Sequence, residues 1–279
     1  MEKSQLKTIL YHLLIGIIGI AMFYPVLWML SSSFKVEGTI FRNAHNLIPE
    51  AFTLSNYVSG WAGFGGTHFG IFFRNSFIIT LTATAGQIFT SAAVGYGFAR
   101  IKFRGKAILF ALVISTLLLP QQVVMIPQYI MFSFIGWINS YKPLILPRFF
   151  AMPFFIFLMY QFIQGIPKEL DEAAKIDGCG VYSIFFKIIL PNIKPALITT
   201  FIFQFYWTWQ DFFGPLLYLQ SANKYPVSLG LKLFSDPSTV TNWGGMFAMS
   251  VLSLLPVLVI FIVFQRYLVE GISTTGLKG

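Results

Sequence analysis

The sequence predicts an all-α integral membrane protein of six transmembrane helices, forming one domain over residues 1–279. Three observations carry that reading. Hydrophobic residues make up 56% of the chain, charged residues only 10%, and the mean hydropathy is +0.72. A soluble domain carries about 25% charged residues, so most of this chain faces lipid. Apolar runs free of Asp, Glu, Lys and Arg recur at the length, about 20 residues, that a helix needs to cross about 30 Å of hydrocarbon. Finally, the cations divide unevenly between the two sides that these runs define, as basic residues do when they set topology.

The first span covers residues 9–31, inside the stretch between Lys7 and Lys35, and contains Pro25. It is too long for a cleavable signal and lacks a small-residue cleavage site. Residues 35–72 are polar and Gly-rich and hold Pro49, which predicts an external loop with a short surface helix. The second span, 75–99, is crowded with small residues such as Thr80, Ala83, Gly86, Ala92 and Gly95. Small side chains let helix backbones approach closely in lipid, so this span is expected at the centre of the packing. Arg100, Lys102, Arg104 and Lys106 follow with no acid among them, the strongest cytoplasmic marker in the chain.

The third span, 107–132, is broken by Pro120 and Pro127, and a short external turn carries Gly136 and Asn139. The fourth, 144–163, has Pro147 and Pro153 near its outer end. After a polar interruption at 167–191 come a fifth span at 195–219 and a sixth at 243–267, separated by a polar loop, 220–242, with Pro226 and Pro237. The tail from Gly271 is short, polar and flexible in composition. Six spans put both termini on one side. Of the 19 Lys and Arg, 12 fall on that side and 7 on the other, which places the termini and the 167–191 loop in the cytoplasm.

Several functions are disfavoured by the same residues. The net charge of +9 is scattered among the spans and faces anionic headgroups rather than nucleic acid. Cys179 is the only cysteine, so no internal disulfide forms, and His12, His45 and His68 show no metal-ligand spacing. No phosphate-binding loop is present, since Gly105-Lys106 is followed by Ala107, so the chain is not expected to hydrolyse ATP. An ion-driven secondary transporter needs paired intramembrane carboxylates or inverted repeats, and Asp211 is the only acid inside a span.

The polar interruption reads PKELDEAAKIDGCGVYSIFFKIILP. Pro167 suits the first turn of a helix, and Glu169, Asp171 and Glu172 follow where carboxylates favour the positive end of the helix dipole. Leu170, Ala173, Ala174 and Asp177 recur at helical spacing, and Gly178 is placed to take a positive φ just past the helix end. A second amphipathic piece spans about 181–190, with Ile184, Phe185, Ile188 and Ile189 on one side, and Pro191 is expected to stop it. Two short helices on a glycine hinge are expected to form a docking surface rather than part of the bilayer.

Glu172-Ala173-Ala174, three residues, Gly178, nine residues, then Ile188-x-Leu190-Pro191 resembles the EAA loop of ABC-importer permeases. The resemblance implies coupling helices that sit in a cleft of ATPase subunits, with Glu172, Ala173, Ala174, Asp177, Gly178, Ile188, Leu190 and Pro191 as the coupling residues. Further matches are to the carbohydrate branch of these permeases. They are Gly95-Tyr-Gly-Phe-Ala-Arg100, Leu119-Pro120 with Ile126-Pro127, Gln161-Phe162 before Ile166-Pro-Lys-Glu-Leu170, Gln265-Arg266-Tyr267 and Lys278-Gly279. Together they cover residues 71–279 and resemble the shorter six-span partner of a maltose- or glycerol-phosphate-type importer. One departure is Gln210, where the family more often has Asn.

That resemblance implies a multi-pass protein of the bacterial inner membrane that pairs with a homologous permease, two ATPase subunits and an external solute-binding protein. ATP and Mg would be bound by the ATPase subunits, with no cofactor in this chain. The 220–242 loop, at Asp236, Pro237 and Ser238, is expected to touch the binding protein. For the sugar itself, Gln204, Tyr206, Trp207, Gln210 and Asp211 are candidates, with Trp209 beside them. Rings stack on the C–H faces of sugars and amides bond their hydroxyls; intramembrane polar residues are costly unless they face a cavity or a partner. The same rings also fit an interfacial aromatic belt with Asp211 at the external mouth. Gln87, Gln121 and Gln122 read better as helix-to-helix hydrogen bonds. A permease of the same class for a non-sugar solute stays open.

Overall fold

In hydrocarbon the backbone has to satisfy its own N–H and C=O groups, and this chain does so with helices. The computed structural model describes residues 2–64, 66–235 and 242–276. Among them there is no strand, only a single bridge between Phe64 and Thr67. Four helices are long and apolar enough to cross a membrane, and two further bent pairs raise the number to six if each pair is one span.

Helix α1 (Glu2–Ser32) carries Pro25 inside it, and none of its most apolar stretch is buried. It is apolar on every side, as a helix bathed in lipid should be. Helix α2 (Ser55–Ala62) lies in the polar segment after it. Helix α3 (Phe69–Arg100) starts six residues before the expected span, because Phe69, Phe72 and Phe73 precede Arg74 and are themselves helical. It is 44% buried over its apolar window, the most of the four unbroken candidate spans among the described residues. Gly95 shows what its small residues do: a β-carbon there would stand 2.7 Å from Met159 Cβ.

The third span is two helices, α4 (Lys106–Ser115) and α5 (Gln121–Phe134), with a bend of 102° between them. Pro120 caps α5, and the residue before it, Leu119, is held extended at φ −82°, ψ 117°. That is the conformation a following proline imposes. Pro127, by contrast, sits inside α5 without ending it. The fourth span begins as α6 (Lys142–Ile145), passes through a 3₁₀ stretch at Leu146–Phe150, and resumes as α7 (Pro153–Gln164). Between the last two, Ala151 takes φ +54°, rare for a residue with a β-carbon.

The polar interruption folds as α8 (Lys168–Ile176) and α9 (Val181–Ile184), followed by a π-type turn at Phe185–Ile189 and α10 (Leu190–Asn192). Pro191 therefore does not stop the second helix, contrary to the sequence expectation. Pro191 has no N–H and its ring crowds the carbonyl four residues back. The backbone answers by widening into the π-type turn and continues to Asn192. A 75° bend then leads into α11 (Lys194–Trp209). Next come α12 (Phe213–Tyr218), α13 (Val227–Gly230) and α14 (Trp243–Gly276). The fifth helix thus ends at Trp209 rather than near residue 219, and α14 continues through most of the tail expected to be flexible.

The chain divides into two compact units. One comprises Met1–Gly70 with Gly230–Leu255, the other Ile71–Leu229 with Pro256–Gly279. In the first, buried Lys35 donates to the carbonyls of Asn43 (3.2 Å) and Asn46 (2.6 Å). The Glu37 carboxylate accepts from the backbone N–H groups of Trp243 (2.7 Å) and Gly244 (2.6 Å), capping the start of α14. In the second unit, α3 and α7 build a core with Ala174, Ile184, Ile189, Ile193 and Ala196. That core is what anchors α8 to α10.

Candidate functional site

Arg100 is the last residue of α3, and Asp171 lies in the first turn of α8. Arg100 Nε stands 2.9 Å from Asp171 Oδ2, with both side chains buried. Arg100 Nη2 also donates to the Ile166 carbonyl at 2.6 Å, just ahead of α8. One turn earlier on α3, Tyr96 donates through its hydroxyl to the Val181 carbonyl (3.4 Å), and its ring packs on Phe185 at 5.2 Å. Residues four apart share a helix face, so Tyr96 and Arg100 together hold both short helices of the loop. Neither was singled out for this from the sequence. In the sequence Arg100 reads as a topology charge and Asp171 as a dipole partner; the tyrosine and arginine four apart are the available signal.

The expected coupling residues divide by face. Glu172, Ala173, Asp177, Gly178 and Pro191 are exposed, whereas Ala174 is buried and Ile188 and Leu190 are partly buried against the core. Glu172 lies beyond the first turn, which holds Glu169 and Asp171 as its acids. Gly178 takes φ +82°, its N–H bonds the Lys175 carbonyl at 3.0 Å, and the Cys179 N–H bonds that of Ala174 at 2.8 Å. This pair of bonds closes the helix end and requires a left-handed residue at that position. The exposed face also carries apolar residues that the motif does not include: Ile176 is 87% exposed and Tyr182 82%.

The expected sugar residues also scatter, because successive residues on a helix point about 100° apart. Gln204 is buried and donates to Thr208 Oγ1 at 2.7 Å along its own helix. Trp207 packs on Phe155 at 5.4 Å, Trp209 on Phe77 at 4.9 Å, and Tyr206 and Gln210 are exposed. Asp211, just past the end of α11, lines a cavity. The residues Asp236, Pro237 and Ser238 lie outside the described ones.

That cavity, about 560 Å³, lies in the second unit between α3, the α4–α5 bend, the α6–α7 segment and α12. Its polar lining includes Gln87, Gln122, Gln128, Arg148 and Asp211. Asp211 Oδ1 accepts the Gly214 N–H at 3.1 Å, and the Asp211 carbonyl accepts from Ser228 Oγ at 2.6 Å. Gln87, expected to bond helix to helix, does so. The amide orientation that matches its surroundings donates to the Arg148 carbonyl (3.2 Å) and accepts from Ser91 Oγ (2.7 Å) and the Met152 N–H (2.5 Å). Arg148 was missed because it was counted as a topology charge. Among the described residues, no group of His, Cys, Asp and Glu is arranged to hold a metal.

Comparison with known proteins gives concordant matches. Residues 87–274 match the family of binding-protein-dependent transport system inner membrane components. The chain is 35% identical to YurM, a probable ABC transporter permease protein of Bacillus subtilis (strain 168), over 93% of this chain and 85% of that protein. It is 34% identical to AraQ, an arabinooligosaccharides transport system permease protein of Halalkalibacterium halodurans, over the whole of both. Its identity to MalG, a trehalose/maltose transport system permease protein of Thermococcus litoralis, is 32%, again over both full lengths. Among solved structures, a chain of a bacterial ABC transporter that imports the acidic polysaccharide alginate shares its fold. The TM-score is 0.85 at 21% identity, covering 96% of this chain and 98% of that one.

Proposed function

Since the chain belongs to the family of binding-protein-dependent transport system inner membrane components, we propose that it is the permease subunit of a bacterial carbohydrate importer, acting on oligosaccharides. The full-length similarity to permeases named for arabinooligosaccharides and for trehalose and maltose supports the substrate class. A component of this family works with an ATPase and a solute-binding protein. Our finer reading is that this chain pairs with a homologous permease, forms half of the pathway, and leaves ATP and Mg to two ATPase subunits. It lies in the inner membrane with both termini cytoplasmic.

The observation that carries the reading is the α8–α10 element, with Glu172, Ala173, Asp177 and Gly178 exposed and its base fixed to α3 by Arg100 and Asp171. Glu172, Ala173, Asp177 and Gly178 face outward to meet the ATPase, while Ala174, Ile188 and Leu190 face inward. Closure of the ATPases on ATP would move the loop, and the buried pair would pass that motion to α3. Asp236, Pro237 and Ser238 remain our candidates for contact with the binding protein.

The test is reconstitution of the chain with its partner permease, ATPase and binding protein in lipid vesicles, followed by uptake of labelled oligosaccharide. Uptake is expected only with ATP and binding protein together. Uptake driven by a proton or sodium gradient without ATP sinks the proposal.

A further inference from the structure

We propose that the cavity selects an acidic saccharide, with the guanidinium of Arg148 pairing with a sugar carboxylate and Asp211 accepting from the sugar's hydroxyl groups. This rests on the carbohydrate-permease reading and narrows it to a charged substrate class.

An arginine within a membrane-spanning segment is costly unless it faces a cavity or a partner. Arg148 lines the cavity with no ion pair or hydrogen bond to its guanidinium among the described residues. Asp211 is the anion close enough to act on it, yet the two make no direct ion pair. A narrow space lined by Thr80, Thr208 and other residues lies against both.

The backbone that follows Arg148 is held in place by one side chain. Gln87 on α3 clamps the Arg148 carbonyl and the Met152 N–H on either side of it. Ala151 between them is kept at φ +54°, a conformation disfavoured for a residue with a side chain. Such strain persists only where surrounding contacts over-determine it. The clamp fixes where the guanidinium starts from.

The chemistry of the lining then selects the ligand. Arg148 only donates, in a planar fork that matches a carboxylate bidentately. Asp211 only accepts once ionised, and one of its oxygens is already taken by Gly214. A ligand that satisfies both must carry an anionic acceptor and hydroxyl donors, as a sugar acid does. A neutral sugar offers Arg148 only hydroxyl oxygens, which bring neither an opposite charge nor the paired oxygens that match the guanidinium fork. The volume of about 560 Å³ falls within the range of about 300–1,000 Å³ usual for small-molecule sites.

The experiment uses the purified complete complex without free binding protein, titrated with labelled trigalacturonate and with galactotriose. Wild type is expected to bind the acid at least tenfold more tightly. Arg148→Gln should remove that preference and Arg148→Lys should retain part of it. Equal or weaker binding of the acid by wild type overturns the inference without needing any variant; so does a preference that survives Arg148→Gln. The two readings separate in vesicles. Uptake of neutral but not acidic oligosaccharide leaves the carbohydrate permease standing and removes the acidic substrate. Uptake of neither, with binding-protein-stimulated ATPase intact, removes both.

Discussion

Asp171 Oδ2 lies 2.9 Å from Arg100 Nε, and this buried contact joins the first turn of α8 to the last residue of α3. Removing one member of a buried ion pair strands the other, at a cost of about 3–5 kcal/mol, whereas replacing both with apolar residues is often neutral. Arg100→Met and Asp171→Leu are each expected to lower the melting temperature of the complex and to abolish uptake. The double variant should recover stability but not coupling. Single variants as stable as wild type would remove the pair's role in holding the loop.

Gly178 and Glu172 should fail in different ways. At φ +82° a side chain costs about 1–2 kcal/mol, while the space around a β-carbon at Gly178 is open in the chain alone. Gly178→Ala should therefore insert and fold. Gly178→Asp adds a charged group on the docking face and should co-purify with less ATPase. Glu172→Ala should keep full stoichiometry but transmit ATP hydrolysis poorly. Wild-type uptake with full stoichiometry in both Gly178→Asp and Glu172→Ala would show that coupling lies elsewhere.

Orientation is open to direct labelling. In a Cys179→Ser background, Lys175→Cys is expected to react with a membrane-impermeant maleimide only from the cytoplasmic side, and Lys232→Cys only from outside. The reverse pattern overturns the topology and the coupling role together.

The closest approach of α3 and α7 sets a further expectation. With Met159 Cβ 2.7 Å from a β-carbon placed at Gly95, Gly95→Ala must push backbone as well as side chain. Overpacking of this kind costs about 1–3 kcal/mol, and Gly95→Leu should cost more. Differential scanning of the complex in detergent checks the order: wild type, then Ala, then Leu.

Much of this was legible in the amino acids, for reasons that differ by residue. The long helices followed from uncharged runs, since lipid leaves the backbone no alternative. Gly178 was legible because only a left-handed residue ends α8 in that way. The role of Arg148 was not, because a cation near a span end looks the same whether it faces headgroups or a cavity. Arg100 and Asp171 are 71 positions apart in the chain, and nothing local announces that they meet. Gln204, Tyr206, Trp207 and Gln210 were grouped by adjacency, while the turn of α11 sends them to different surroundings. Pro191 misled because a proline can be absorbed by a wider turn as well as by a helix end.

The 75° break between α10 and α11 has a mechanical consequence. Ile193, at the break, is fully buried in the core built on α3 and α7, a position from which it would act as a pivot if the loop is pushed. A push along the axis of α9 and α10 cannot travel straight into α11. It would arrive as torque about Ile193, and the far end of α11, two residues short of Asp211 at the cavity, would swing through an arc scaled by the length of the helix. At 1.5 Å per residue, the 16 residues of α11 form an arm of roughly 24 Å, so a small displacement at the loop becomes a larger sideways one at the cavity wall.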